Sequence, residues 1–461
     1  GFFYLSLEVL MQTQPIELKG RSGDAPGNSL WVFLVIWFGQ VISTLGSGLT
    51  GFALSIWAFQ TTGLASAAAL IALAGALARL AAAPLAGWLS DRMDRRIAMI
   101  LGDSGAALGT VALLALLSAN QLELWHLALI TAWEAACSTL QLPAYFAALP
   151  GLLPEKWLSR GNGMIQLGRA LAEILAPMLA GVMINQAGIA FIAWVDLITF
   201  LFAVGTATVV RFPDNVVSKD KQATTFTRED LLAGWRFIQE QSGFKEMLAF
   251  TTTQNFLRSM FGVLVVPMIL GFSTSADLGK LVSLAGFGML AGGVWMSAWG
   301  GPRRKTMGVL GFELFGGFCF ILMGARPMWG LTALGAVLVH LSLSVIGGCE
   351  QTLWQRNTPE ALRGRVLAVQ QAVGHAATPL ALLTAGPLAD VWFNPSMQPG
   401  GCLAGIFGPW IGVGDGRGIA LLFLLIGMLK IAYSSATLLR ASKWNLDIEN
   451  DELILDARSD Q

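Results

Sequence analysis

Gly87-Trp88-Leu89-Ser90-Asp91-Arg92-Met93-Asp94-Arg95-Arg96 is a dense charged stretch between two long apolar segments, in a chain of 461 residues that is otherwise poor in charge. A turn between two membrane-crossing helices must lie in water. An acid followed by Arg92, Arg95 and Arg96 resists translocation, so this turn is expected on the cytoplasmic side. The stretch fixes topology and orientation together.

Its surroundings are lipid-like. Hydrophobic residues make up 54% of the chain and charged ones only 13%, with a mean hydropathy of +0.62. That is too apolar for a protein that must clothe a soluble surface. Net charge is zero, so no basic field draws nucleic acid. Cys137, Cys319 and Cys349 sit in apolar segments and Cys402 in a loop, without pairing or metal-ligand spacing, and read as small packing residues. No metal or cofactor is expected.

A bilayer core demands about 20 apolar residues per helix, and twelve such stretches lie between Leu30 and Leu439. The reading is an all-α integral membrane protein with a tail at 1–29, a six-helix bundle at 30–210, a central loop at 211–246, a second six-helix bundle at 247–439 and a tail at 440–461. Of the 29 Lys and Arg residues, twenty-two fall in the tails and even-numbered connections, and only Lys280, Arg326 and Arg417 in the odd-numbered ones. Both termini are therefore expected in the cytoplasm. The sequence opens on Gly1 rather than Met, as a fragment or a processed product would, and residues 1–27 lack the order of a signal peptide. In the central loop, Thr227 with Asp230 makes a near capping box, and Leu231, Leu232, Trp235 and Ile238 share one helical face. A surface helix under the membrane is expected, as a linker rather than a partner-binding element.

The halves echo one another. Pro154-Glu155 then Arg160-Gly161, and Pro177 before Ala180-Gly181, reappear as Pro359-Glu360 then Arg363-Gly364, and Pro379 before Ala385-Gly386. The basic turn recurs without its acid as Gly300-Gly301-Pro302-Arg303-Arg304-Lys305. Two pseudo-symmetric six-helix halves suit a protein that works by rocking them about a midplane site.

These residues resemble the major facilitator superfamily over essentially all of Leu30 to Leu439. The stretch Gly87, Leu89, Asp91, Arg92, Arg95 and Arg96 looks like its signature between helices two and three, with Asp94 where a glycine is usual. That departure, with Asp196, Gly234-Trp235-Arg236 and the Gly301, Arg303, Arg304, Lys305 turn, resembles the branch of macrolide efflux proteins and the enterobactin exporter. The resemblance implies a proton-linked exporter of bulky, amphipathic small molecules, embedded in the inner or plasma membrane as a monomer, and not an enzyme. Trp133-Glu134 stands where better-known drug exporters carry an arginine. The antiporter signature of helix five is reduced to Gly168 and Ala176-Pro177-Met178-Leu179-Ala180-Gly181.

Asp91 reads as a gate latch, able to sit against the unpaired amides of the helix starting near Pro359 to Arg365; the alternative is a purely topological anchor. Within the bilayer each charge costs about 2.5–3.5 kcal/mol on insertion scales, so each calls for a partner or a task. Arg169 and Glu173 are four apart and read as a pair, while Arg79 and Arg258 are further candidate charge partners. Glu134 has no base at helical spacing. It is the first candidate for proton coupling, alone or with Glu173, with Asp103 and Asp196 read rather as packing or gate charges. His340 and His375 read as packing histidines. Gln40, Thr44, Trp133, Gln141, Gln254 and Asn255 are candidate cavity residues for an amphipathic substrate. The run Gly412 to Gly418 lacks the Lys-Ser/Thr ending of a phosphate loop and reads as a turn. A proton-independent facilitator or importer, and a non-transporting membrane module, remain alternative readings.

Overall fold

The computed structural model describes residues 26–154, 157–209, 228–241, 243–359, 362–440, 444, 446 and 447. Every regular element among them is a helix, the form that satisfies its own backbone where lipid offers no hydrogen bonds. The first bundle comprises α1 (Pro26–Thr62), α2 (Ala65–Arg92), α3 (Arg95–Ser118), α4 (Leu124–Leu152), α5 (Leu158–Gln186) and α6 (Gly188–Val209). A short α7 (Arg228–Glu240) precedes α8 (Phe244–Leu270), α9 (Ser275–Trp299), α10 (Lys305–Ala325) and α11 (Trp329–Arg356). The broken α12 (Arg363–Ser396), a small α13 (Ala404–Ile411) and α14 (Arg417–Leu438) complete the second bundle.

Eleven of these helices are long and apolar enough to cross a membrane. The twelfth span is α4, whose hydropathy is lowered by His126, Glu134 and Gln141, and which packs along α2 and α3. Twelve spans thus stand in two six-helix halves. Burial follows lipid rather than water: Trp31, Leu108, Ile198, Val294 and Leu383 are among the most exposed side chains. Phe261 stacks on Phe320 with ring centroids 3.8 Å apart and lies 4.4 Å from Phe423, tying α8, α10 and α14 together. We call the face where α1 begins and α14 ends the terminal face, and the opposite one the distal face.

Three expectations need correction. The charged stretch is mostly helix, not loop: α2 runs through Arg92 and α3 starts at Arg95, leaving only Met93 and Asp94 between them. Asp94 makes so short a turn possible, because its Oδ1 accepts from the amides of Arg96 at 2.8 Å and Ile97 at 3.2 Å and caps α3. Secondly, α8 begins at Phe244, inside the expected central loop at 211–246, and the helix of the eleventh span runs on to Ser396. Thirdly, α7 docks on protein: a Cβ on Gly234 would stand 2.7 Å from the Arg365 carbonyl oxygen at the start of α12, and Ile238 is buried. Trp235 and Leu232 on the same helix remain partly exposed. Thr227 and the side chains of Asp230 and Leu231 lie outside the described residues.

Candidate functional site

The halves meet at the distal side. The Gln60 amide of α1 donates to Ser275 Oγ of α9 at 3.1 Å, and the Ser283 hydroxyl of α9 donates to the Ile174 carbonyl of α5 at 2.5 Å. Pro177 and Gly181 lie in this contact. A Cβ on Gly181 would stand 2.4 Å from the Ser275 carbonyl oxygen, and one on Gly279 would stand 2.3 Å from that of Pro177. Only glycine allows backbones so close. Gly168, lower on α5, instead makes room for a side chain within the first half, its missing Cβ lying 2.3 Å from Val41 Cγ2. Towards the terminal face a cavity of about 790 Å³ is lined by Glu173 of α5 and by Met289, Leu290 and Val294 of α9.

A second, smaller cavity of about 180 Å³ lies inside the first half, among α1, α3, α4 and α5. Gln40, Thr44, Ser47, Asp103, Gln141 and Arg169 line it. Gln40 is the hub: its amide nitrogen donates to Asp103 Oδ2 at 2.8 Å, and its carbonyl oxygen accepts from the Gln141 amide. Three of the expected cavity residues therefore do share one pocket. The hydroxyl of Tyr145, on the pocket wall, is buried without a partner.

Seven residues further along α3, about 10 Å of rise, Thr110 stands between two carboxylates. Its Oγ1 lies 3.1 Å from Asp196 Oδ2 on α6 and 3.4 Å from Glu134 Oε1 on α4. Ser47 and Thr50 of α1 lie beside Asp196, whose Oδ1 is buried and unbonded. Glu134, read as acting alone or with Glu173, thus shares Thr110 with Asp196. Arg169 and Glu173 form no ion pair, and neither does Arg79, among the described residues. An (i, i+4) spacing permits contact but does not compel it, and the two side chains line different cavities.

The second half pairs its charges instead. Glu313 of α10, 2% exposed, accepts from Arg258 of α8 at 2.6 Å and from Lys430 of α14. Gln254 and Asn255 belong to this cluster, apart from the pocket around Gln40. Lys430 donates to Gln254 Oε1 at 2.8 Å, Gln254 donates to Ser434 Oγ at 3.0 Å, and Asn255 bridges Arg258 and the Gly374 carbonyl. Trp133 also stands outside that pocket, donating its indole N–H to the Gly105 carbonyl of α3 at 2.6 Å. His340 and His375 each place Nδ1 on the carbonyl four residues back, at 2.9 and 3.1 Å.

The two basic turns are built alike, by different routes. Arg96 reaches the carbonyls of Ala207, at 2.8 Å, and Thr208, gripping the end of α6. The side chains of Asp91 and Arg92 lie outside the described residues, and with them the latch. In the second half Arg303 and Arg304 are exposed, and Gly301 precedes them. The missing acid comes from the tail: Asp447 Oδ1 accepts from the Lys305 amide at 2.9 Å and Oδ2 from that of Thr306 at 3.2 Å. Sequence reading passed over Asp447, Thr110 and Asp390, described below.

Twelve spans in two halves, closed at one face and enclosing a polar pocket, define a membrane transporter rather than an enzyme. The chain belongs to the major facilitator superfamily, whose family model matches residues 36–382. Macrolide efflux protein A of Streptococcus pyogenes is 23% identical over 365 residues, covering 78% of this chain and 89% of that protein. Multidrug efflux pump Tap of Mycolicibacterium fortuitum is 25% identical over 366 residues, covering 77% and 89%. Among solved structures, the nucleoside transporter NupG superposes with a TM-score of 0.66 at 10% identity, over 88% of this chain and 98% of that one. A bacterial homologue of the iron transporter ferroportin, in an inward-facing state, gives 0.60 at 15%, over 88% and 99%. These two likenesses establish the fold alone.

Proposed function

We propose that the chain is a secondary active exporter of hydrophobic or amphipathic small molecules, driven by proton antiport, in the inner or plasma membrane with both termini cytoplasmic. The efflux activity named for its relatives supports the direction, and the excess of basic residues on the terminal face supports the orientation. The observation that carries proton coupling is the meeting of Glu134 and Asp196 at Thr110 without a cation touching either among the described residues. One hydroxyl hydrogen can satisfy only one of the two acids at a time. Gain or loss of a proton at the pair therefore changes how α3, α4 and α6 hold together.

Asp103 and Ser47 line the first-half pocket, and Ser47 also lies beside Asp196, so the acid pair adjoins that pocket. Substrate would enter this pocket and displace or be displaced by the proton as the halves rock. Everted vesicles given an acid interior and a radiolabelled macrolide test the reading. Uptake driven by the pH gradient is expected, and is abolished by Glu134→Gln and Asp196→Asn. Undiminished pH-driven uptake in Glu134→Gln overturns the mechanism, and uptake indifferent to the gradient favours a proton-independent facilitator.

A further inference from the structure

The first turn of α2 is capped from the other half of the molecule. Every helix starts with amides that lack an intrahelical acceptor, and the residue at the N-cap of α2 is Leu64, whose side chain offers no acceptor. Asp390 of α12 supplies one. Its Oδ1 accepts from the Ala65 amide at 2.9 Å, and its Oδ2 accepts from the Ser66 amide at 2.7 Å and the Ser66 hydroxyl at 2.6 Å. Asp390 lies on a π-helical turn, Leu388–Phe393, a distortion that recurs at functional positions because it redirects side chains. One turn earlier, Gly386 lets the helices touch: a Cβ there would stand 2.4 Å from Ser66 Cα. No cation forms an ion pair with Asp390 among the described residues, so its charge rests on the amides and dipole of α2.

We propose that Asp390 is a positioning residue that holds the distal entrance shut, by capping α2 across the boundary between the halves. Ala65 and Ser66 belong to the first bundle and Asp390 to the second, so opening the distal face must break all three bonds. The cap forms only in the distally closed state and therefore biases the rocking equilibrium toward it. Loss of a helix cap corresponds to roughly a 5- to 30-fold change in such an equilibrium. This inference rests on the rocking of two halves, and not on the cargo or the proton.

The test uses the full chain in nanodiscs, with the four native cysteines replaced and spin labels at Gln121→Cys and Met328→Cys, which lie in distal turns of the first and second halves. Double electron–electron resonance then reads the distal separation directly. Asp390→Ala is expected to raise the long-distance, distally open population about 5- to 30-fold over the closed one, with Asp390→Asn in between. Leu64→Asp added to Asp390→Ala gives α2 a cap of its own. A merely structural cap predicts return of the closed distribution, whereas the latch predicts that the distal face stays open. Should Asp390→Ala fail to accumulate, Ser66→Ala removes a single bond and must shift the same distribution in the same direction. An unchanged distribution in Asp390→Ala or Ser66→Ala, or restoration by Leu64→Asp, overturns the proposal. Because no transport is measured, loss of the proton mechanism at Glu134 leaves this outcome untouched.

Discussion

Replacing Glu313 by glutamine removes the carboxylate that Arg258 and Lys430 both grip in the second half. The two cations then lose the carboxylate they share, Lys430 inside the protein and Arg258 with only the more distant charge of Glu350 acting on it. Breaking a buried pair from one side costs about 3–5 kcal/mol, and two unpaired cations at about 2.5–3.5 kcal/mol each on insertion scales put the upper end somewhat higher. Lys430→Met is different, because Glu313 keeps Arg258 at 2.6 Å and the cluster is left as a neutral pair. Its cost is the lost charge-assisted bonds to Glu313 and Gln254, about 1.5–3 kcal/mol. Glu313→Gln in the Lys430→Met background should cost less than in the wild type, since it strands one cation instead of two. Denaturant-induced unfolding in mixed micelles, followed by the 16 tryptophans, gives each leg of this cycle. Finding Lys430→Met as damaging as Glu313→Gln, or the two additive, refutes a cluster organised around Glu313. Lys430→Met should also leave the pH dependence of transport unaltered, because the proposed proton site lies in the other half.

Gly279→Leu puts atoms where the Pro177 carbonyl stands, 2.3 Å from the missing Cβ. The distal face should then fail to close, and substrate uptake in everted vesicles should fall at least tenfold while expression holds; normal uptake refutes the close approach as a closing contact. Asp447→Ala removes the acceptor from the start of α10, at about 1 kcal/mol for a lost cap. It should expose the Arg440 region to trypsin roughly five times faster, and unchanged digestion would show that the tail is held by other contacts. Cys402 is exposed in the distal connection, whereas Cys319 and Cys349 are buried. A membrane-impermeant maleimide added to intact cells should label Cys402, and labelling only after lysis would invert the proposed orientation.

The spans, the two halves and the basic turns were legible because each depends on composition over some twenty neighbouring residues, which lipid as solvent enforces locally. The pairing of charges was not, because partners were sought at helical spacing. Arg169 and Glu173 satisfy that spacing and still separate, while Glu313 finds Lys430 across 117 residues and Thr110 finds Asp196 across 86. Gln254 looked like a cavity residue for the same reason, since Lys430 reaches it across 176 residues; Asn255 could have been paired from the chain alone, because Arg258 stands three residues on along the same helix. Gln40, Thr44 and Gln141 did reach one pocket, as polar positions on spans that carry few others. The acid absent from the second basic turn was sought within the turn, whereas it stands 142 residues later at Asp447.

The cap on α2 also sets an order of events during biogenesis. Asp390 is separated from Ser66 by 324 residues, so at about 5–20 residues per second it leaves the ribosome roughly 16–65 s after the helix it completes. Throughout that interval the nascent first bundle must keep the start of α2 solvated at the bilayer surface. Insertion of the eleventh span is therefore the event that ends the wait, and a chain truncated before it should be an early client of membrane quality control.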